Sequence, residues 1–186
     1  MKAGLVSALS LILLNACGTM NVEEFKDGKP SLVLEEYFAG KTRAWGLFED
    51  RFGKVQRQFV VDIDGSWDGT TLTLNEDFLY NDGETENRVW KIRKTGDSSY
   101  SGTTEQAVGE ARGTVAGNSF NWQYDFNLKV GDGTWKVHFD DWMFLQSETA
   151  LLNIATVRRW GIKLGTVFLS FQKLEDESSV KPPAAS

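Results

Sequence analysis

The sequence has very few of the residues on which metal sites, disulfides and nucleophilic catalysis depend. Its 186 residues include one cysteine and one histidine. A zinc site needs several Cys or His ligands, and a disulfide needs a second cysteine, so the chain can build neither alone. No Gly-rich phosphate-binding loop is found, because the glycines stand singly in predicted turns. We therefore expect no metal site, no cofactor and no catalytic residue, and predict that the protein is not an enzyme.

Proline and positive charge are also scarce. The chain has three prolines and a net charge of −6, which argues against a nucleic-acid partner and against a surface that binds anionic lipid head groups. Glycine and aromatic residues are abundant by contrast, with 18 Gly, 12 Phe and 7 Trp. Many aromatics combined with many turn-forming glycines are typical of a β-rich domain.

The first residues carry the signs of an export signal. The sequence opens MKAGLVSALSLILLNACGTM, in which the apolar run from Ala3 to Leu14 is shorter than the roughly 20 residues of a membrane-spanning helix. Leu14-Asn15-Ala16-Cys17 resembles a bacterial lipobox, which predicts a signal peptide at 1–16 and lipidation of Cys17. An ordinary secretory signal with an incidental cysteine is the alternative.

By resemblance to the lipoprotein sorting rule, Gly18 after the cysteine favours the outer membrane. Residues 17–30 would be the lipidated N-terminus and a polar tether that holds the folded domain near the membrane, on its periplasmic side. The membrane, reached through the N-terminal lipid, is thus the first predicted partner.

Alternating polarity identifies the strands. In SFNWQYDFNLKV (119–130) every second residue is apolar, as in a strand with one buried face and one exposed face. A Gly-Asp-Gly turn leads into a second alternating run that begins at Trp135. Similar runs are predicted at 41–50, 58–66, 71–80, 88–94, 99–106, 108–116, 149–158 and 161–174, after a short helix turn at 32–37.

About ten strands in hairpin order, without a helix long enough for a crossover, predict an all-β, antiparallel, up-and-down barrel of the lipocalin-like type over residues 31–174. A two-sheet sandwich is the alternative. A transmembrane barrel is disfavoured because one face of each strand carries Asp, Asn and Lys. The polar tail at 175–186 is predicted to be disordered.

Several long motifs resemble one family. FEDRFGKVQRQF, GSWDG, TLNEDFLYNDGE, VHFDDWMFLQ and GIKLGTVFLSF occur in this order, and over about 33–172 the chain is similar to the bacterial lipoprotein family DUF3833. The resemblance implies a lipocalin-like fold and a lipoprotein, and it supplies no catalytic residue.

Three charged residues interrupt the apolar faces of the predicted strands. Asp141 lies among apolar residues, Glu76 lies between Leu74 and Phe78, and Arg88 shares a face with Trp90. Because an unpaired buried charge is costly, such groups pair internally or line a wet cavity. Arg88 could then hold a ligand carboxylate or phosphate. An error of register, which would turn all three towards water, is the third alternative.

Most of the aromatic residues are predicted to lie in the core, where some could line a ligand pocket. The predicted ligand-binding set joins the three charges to four of these aromatics: Arg88, Glu76, Asp141, Trp90, Trp122, Tyr124 and Phe139. Trp45, Trp135 and Phe168 belong to the same group of aromatics, most of which are expected in the core. His138 and Asp140 share the opposite face, where an exposed histidine is expected rather than a catalytic pair.

The resulting hypothesis is a lipoprotein whose barrel binds or carries an apolar ligand such as a fatty acid or lipid. The first alternative is a ligand-free barrel that presents a surface to an envelope protein partner. An enzyme acting on lipids is the least favoured of the three.

Overall fold

A computed structural model describes residues 20–174. The predicted signal peptide (1–16), Cys17 and the tail at 175–186 lie outside these residues. The described chain forms a closed barrel of ten antiparallel strands, which confirms the predicted fold. In chain order the strands are β1 (Gly40–Asp50), β2 (Val55–Trp67), β3 (Thr71–Tyr80), β4 (Thr85–Lys94), β5 (Ser99–Thr103), β6 (Ala111–Ala116), β7 (Ser119–Val130), β8 (Gly133–Leu145), β9 (Ala150–Arg159) and β10 (Ile162–Lys173).

Every strand pairs with its neighbours in sequence, and β1 pairs with β10 to close the barrel. The closing pair runs in continuous register from Thr42 opposite Lys173 to Asp50 opposite Gly165. Because the path is strictly up and down, the β1–β2, β3–β4, β5–β6, β7–β8 and β9–β10 turns all lie at one end, called here the mouth. The other four turns and the N-terminal segment lie at the opposite end, called the floor.

The alternation read from the sequence decides which side chains face inward. On β7, Phe120, Trp122 and Phe126 are buried, whereas Gln123 and Asn127 are exposed. Burial of this apolar face stabilises the folded barrel. Closure of the barrel also leaves no strand with unpaired edge groups.

Three of the seven aromatics for which mostly core positions were expected lie outside the core. Trp45 is 49% exposed, and Trp135 and Phe168 are each 37% exposed. Trp45 and Phe168 alternate with inward residues and so point outward from β1 and β10. Trp135 lies near the start of β8, at the mouth, where the barrel no longer encloses side chains.

A one-turn helix, α1 (Leu34–Phe38), covers the floor of the barrel. A helix this short is not stable alone, so packing must hold it. Its Leu34, Tyr37 and Phe38 are buried, and the Tyr37 hydroxyl donates to the carbonyl of Thr149 at 3.1 Å. A glycine at 65 lets the helix approach, because a Cβ there would lie 1.7 Å from the carbonyl oxygen of Phe38. The predicted helix turn at 32–37 is thus confirmed with a small shift.

A 3-10 turn at Val22–Phe25 covers part of the outer wall. The ring of Phe25 packs edge-on against Trp142 and Phe144 of β8, with centroids 6.0 and 5.1 Å apart. Trp142 points out of the barrel and is nevertheless buried for this reason. Within residues 20–174 no helix is both long and apolar enough to cross a membrane.

Candidate functional site

The interior of the barrel contains a cavity of about 320 Å³. It reaches from Leu34 and Phe38 of α1 at the floor to Tyr80 and Lys129 at the mouth. Most of its wall is aromatic or aliphatic, supplied by the inward faces of eight strands, and the polar groups on it are few. Pockets of this composition, with roughly 300–1,000 Å³ of space, are typical of small-molecule sites.

All seven predicted ligand-binding residues line this cavity. Three cross-strand pairs bring six of them together. Glu76 stands opposite Arg88 on β3 and β4, and on β7 and β8 Trp122 stands opposite Asp141 and Tyr124 opposite Phe139. The Tyr124 and Phe139 rings stack at 5.0 Å and are inclined by only 6°. The lining residues include Arg88, Glu76, Asp141, Trp90, Trp122, Tyr124 and Phe139. That they bind a ligand stays a prediction.

Arg88 is fixed between two aromatic rings. Its guanidinium carbon lies 4.6 Å from the ring centroid of Phe78 and 4.7 Å from that of Phe126. One Nη donates to Glu86 at 2.8 Å, whereas the buried Nε has no hydrogen-bond partner. A guanidinium carries five N–H donors, and Glu86 is its one hydrogen-bond acceptor among the described residues. The cavity therefore contains a rigid cation with unused donors.

Glu76 lies beside this cation without a hydrogen bond to it. Among residues 20–174, no protein group donates to the Glu76 carboxylate. Burial raises the pKa of Glu76 to about 7; the nearby charge of Arg88 opposes this rise, and that of Asp141 adds to it. Near neutral pH this carboxyl group can therefore either accept or donate a hydrogen bond to a bound molecule.

Asp141 is the second buried carboxyl group, and Asn153 on the facing strand β9 donates to it at 3.1 Å. The same amide nitrogen also lies 3.3 Å from the carbonyl of Trp142. Burial raises the pKa of Asp141 to about 6, while hydrogen bonding by Asn153 and Tyr124 limits the rise. Asp141 is thus held in place by neutral donors rather than by a cation.

The sequence reasoning missed Glu86 and Asn153, as well as Arg57, Tyr80 and Lys129 nearer the mouth. Glu86, the partner of Arg88, lies two residues before it on the same face of β4, so period-2 alternation could have found it. Glu86 also accepts from the Tyr80 hydroxyl at 2.9 Å. Asn153 alternates with the buried Leu151 and Ala155, which is a weaker signal because an Asn in a strand is often exposed.

Arg57 closes one side of the mouth. Its guanidinium carbon lies 3.5 Å from the ring centroid of Tyr80, and its Nη2 contacts Asp82 at 2.9 Å and Glu84 at 2.5 Å. These ion pairs join β2 to the β3–β4 turn. The mouth is consequently narrowed on the side of β2, β3 and β4.

The histidine is not paired with Asp140. His138 Nδ1 lies 2.9 Å from Asp125 on β7, and Asp140 accepts from Asn121 at 2.8 Å. Neither group faces the cavity, and the His138 side chain is 45% exposed. The expectation of an exposed histidine on the outer face is confirmed.

Comparisons with known proteins support the fold. The family described as "Protein of unknown function (DUF3833)" matches residues 11–173. No curated protein matches the chain. Among solved structures, an S-type phycobiliprotein lyase from Guillardia theta superposes with a TM-score of 0.60 at 10% sequence identity, covering 85% of this chain and 100% of the lyase. At that identity the likeness shows a common fold.

Proposed function

This chain belongs to the DUF3833 family, whose function is unknown, and we propose that its barrel binds a small amphipathic molecule such as a fatty acid or a single-chain lipid. The observation that carries the proposal is Arg88: a rigid cation with free donors on the wall of an otherwise apolar cavity. A buried cation without full hydrogen bonding lowers the stability of the fold. Such a group is therefore not expected in a barrel whose interior serves only for packing.

The apolar wall supplies the binding free energy. Removal of alkyl surface from water contributes about 25 cal/mol per Å². The cavity volume of about 320 Å³ favours a single chain over a lipid with several chains. The structural neighbour from Guillardia theta is by its title a phycobiliprotein lyase, which is compatible with a ligand-binding role for a barrel of this fold.

The polar group of the ligand would lie between Arg88 and Glu76. A carboxylate there receives hydrogen bonds from the guanidinium, and a protonated Glu76 can donate a further one. Asp141 and Tyr124 also line the cavity and would contact the ligand from β8 and β7.

The predicted lipid on Cys17 would keep this binding module at a membrane, as a lipoprotein of the outer membrane with its barrel in the periplasm. Two or more acyl chains give a firm anchor, at about 0.8 kcal/mol per buried CH₂. The mass of the mature protein, together with its loss from the membrane in a Cys17→Ser variant, tests this part separately.

Binding itself is tested with a fluorescent long-chain fatty acid and purified protein that begins at Met20, which keeps every described strand and contact. Ala155→Phe fills the cavity from β9, and Ile154→Phe adds the same ring to the outer wall one residue away. We expect the first to weaken binding at least about tenfold and the second to leave it unchanged. Equal affinities in both variants would refute an interior site.

A second function is favoured by the outer wall. Four apolar side chains that point outward lie on the adjacent strands β9, β10 and β1: Leu152, Ile154, Phe168 and Trp45. Phe168 stands directly opposite Ile154. Contiguous exposed apolar surface of this kind is found at protein interfaces. If probe binding fails, a structural lipoprotein that presents this wall to an envelope protein partner becomes the better proposal, ahead of an enzyme that acts on lipids.

A further inference from the structure

The mouth of the barrel is divided into a basic half and an acidic half. Three turns that are neighbours around the barrel lie within 49–56, 129–136 and 158–163, and together they contain seven Lys or Arg against three Asp or Glu. The β3–β4 turn carries Asp82 and Glu84 instead, and the β5–β6 turn carries Glu105 and Glu110. A cluster of positive charge is unexpected in a chain with a net charge of −6.

Six of the seven basic side chains are free of salt bridges within the described chain. Lys136 pairs with Asp125 at 2.8 Å. The others, to which no acidic group comes within 4.0 Å, are Arg51, Lys54, Lys129, Arg158, Arg159 and Lys163. We call the three turns together the basic rim.

Large aromatic side chains extend into solvent from the same rim. Trp160 is 84% exposed and Phe52 is 80% exposed. The guanidinium of Arg159 lies 4.2 Å from the ring of Trp160 and 4.3 Å from that of Trp135, and Arg51 lies 4.7 Å from Phe52. The rim therefore combines aromatic rings with cations that touch them.

The conformation of Trp160 is unfavourable for a bulky side chain. It is the one non-glycine residue with a positive φ (51°) among residues 20–174, and Gly161 after it has φ 78°. Two-residue hairpin turns need such angles and normally take Asn-Gly. A Trp with positive φ has a higher conformational energy than Asn or Gly at the same position. Backbone strain of this kind is concentrated at functional sites. Packing inside the protein does not account for Trp160, because its ring is in solvent.

From the position of the rim at the cavity mouth, we propose that the basic rim docks the barrel onto an anionic phospholipid surface. Aromatic rings favour the membrane–water interface, and each nearby Lys or Arg strengthens attraction to anionic lipid. Docking in this orientation brings the mouth against the lipid, so that an acyl chain can pass between bilayer and cavity without crossing water. This last step rests on the proposed function, whereas the docking does not.

The test uses protein that begins at Met20 and vesicles of phosphatidylcholine, with or without phosphatidylglycerol, in a sedimentation assay. We expect binding only when phosphatidylglycerol is present, and weaker binding at higher salt. Failure of the wild-type protein to sediment with either vesicle overturns the proposal.

Two variants address the aromatic and the basic contributions. Phe52→Ser/Trp160→Asn removes the rings, and Asn accepts a positive φ more readily than Trp, so the turn is retained. Its control is Leu79→Ser/Val108→Ser, at exposed positions outside the rim.

The second variant, Arg51→Gln/Lys163→Gln, removes two positive charges from the rim. Its control, Lys91→Gln/Arg93→Gln, removes two exposed positive charges from β4. Each rim variant should lose about tenfold in vesicle affinity, and each control should lose none. Equal losses in rim variants and controls overturn the proposal.

Fatty-acid binding in the absence of vesicles separates the two proposals. All four variants should bind the probe as the wild type does, because none alters the cavity wall. If the wild type binds vesicles and not the probe, the cavity function fails and the docking surface stands. If it binds the probe and not the vesicles, the docking surface alone is refuted.

Discussion

Glu76 and Arg88 stand directly opposite each other on adjacent strands inside the barrel, yet the Arg88 guanidinium donates to Glu86 on its own strand. One cation is thus shared electrostatically by two carboxyl groups, and only one of them is hydrogen-bonded to it. Glu86 keeps a lowered pKa despite its burial, because Arg88 and the Tyr80 hydroxyl oppose the cost of desolvation. Glu76 has no hydrogen bond of this kind, so the charge of Arg88 offsets its desolvation only in part, and its charge changes near neutral pH.

The first prediction concerns Arg88. Arg88→Met should destabilise the protein by about 3–5 kcal/mol at pH 8, because Glu76 and Glu86 would lose the cation that lowers their pKa values, and each would have to stay charged without a partner or bind a proton. Urea unfolding measures the loss. The triple change Arg88→Met/Glu76→Gln/Glu86→Gln should recover most of it, and a triple variant no more stable than Arg88→Met would show that the charges are not the cause.

The second prediction is the pH dependence of stability. The pKa of Glu76 rises from 4.5 in the ordinary state to about 7 in the fold, so between these values the folded protein binds more protons than the unfolded chain. The contribution of Glu76 to the free energy of unfolding therefore falls as the pH rises through this window and is constant above it. Glu76→Gln removes that contribution and should be more stable than the wild type at pH 8, by up to about 3 kcal/mol.

The same comparison at pH 4 should show little difference, because Glu76 is then protonated in both states. Only the difference in stability between variant and wild type is informative. The lowered pKa values of Asp50, Asp68 and Asp82 make the stability of the whole protein rise with pH in the acid range, which is opposite to the effect of Glu76. A stability difference that is equal at pH 4 and pH 8 would contradict the assignment.

The third prediction concerns the ligand. Ionised Glu76 repels a bound carboxylate, whereas protonated Glu76 can donate to it. Affinity for a fatty acid should therefore decrease from pH 6 to pH 8, and the decrease should be much smaller in Glu76→Gln. A fatty alcohol of equal length is the matched control, with little pH dependence in either protein. Fluorescence displacement measures affinity against pH for both ligands in both proteins. Identical curves for the acid and the alcohol would show that the head group does not lie beside Glu76.

The fold was predictable because its information is local. The alternation at 119–130 fixed β7 to the residue, and 71–80 did the same for β3. The inward positions of Glu76, Arg88 and Asp141 followed from the same period, since parity along a strand determines the face. Closure was the favoured prediction, because a long meander with one apolar face must close or fold over to cover that face, and the structure decides for the barrel over the sandwich.

The remaining features depend on contacts between distant segments. Trp142 has the parity of an outward residue and is buried only because Phe25, far away in sequence, covers it. Trp45 and Phe168 point outward although most aromatics of their group lie inside, and their residue type alone does not distinguish them. The sequence also does not show which carboxylate Arg88 binds. Arg88 donates to Glu86 rather than to Glu76, and only the side-chain geometry decides between the two.

The fourth prediction tests the hydrogen bond that holds Asp141. Asn153→Leu removes the amide donor and leaves the carboxyl group in an apolar wall. The pKa of Asp141 should rise further above its value of about 6, and stability at pH 8 should fall by about 1–3 kcal/mol. Asn127→Leu, at an exposed position on β7, is the control. Titration of the Asp141 carboxyl by NMR measures the shift; an unchanged pKa would mean that water replaces the amide.

The last prediction concerns the floor of the cavity. At Gly65 an added Cβ would lie 1.7 Å from the Phe38 carbonyl oxygen, which is backbone and cannot rotate away. Gly65→Ala should therefore displace the end of α1 from the barrel, at a cost of about 1–3 kcal/mol. At Gly96 the nearest atom to an added Cβ is 3.7 Å away, so Gly96→Ala is the matched control.

Displacement of α1 has a consequence for binding as well as for stability, because Leu34 and Phe38 form part of the cavity wall. In Gly65→Ala the amide hydrogens of α1 should exchange faster, and the fatty-acid probe should dissociate faster, since its apolar end loses two contacts. Gly96→Ala should change neither rate. Faster hydrogen exchange with an unchanged dissociation rate would show that the alkyl chain does not reach the floor, and would limit the ligand to the upper part of the barrel.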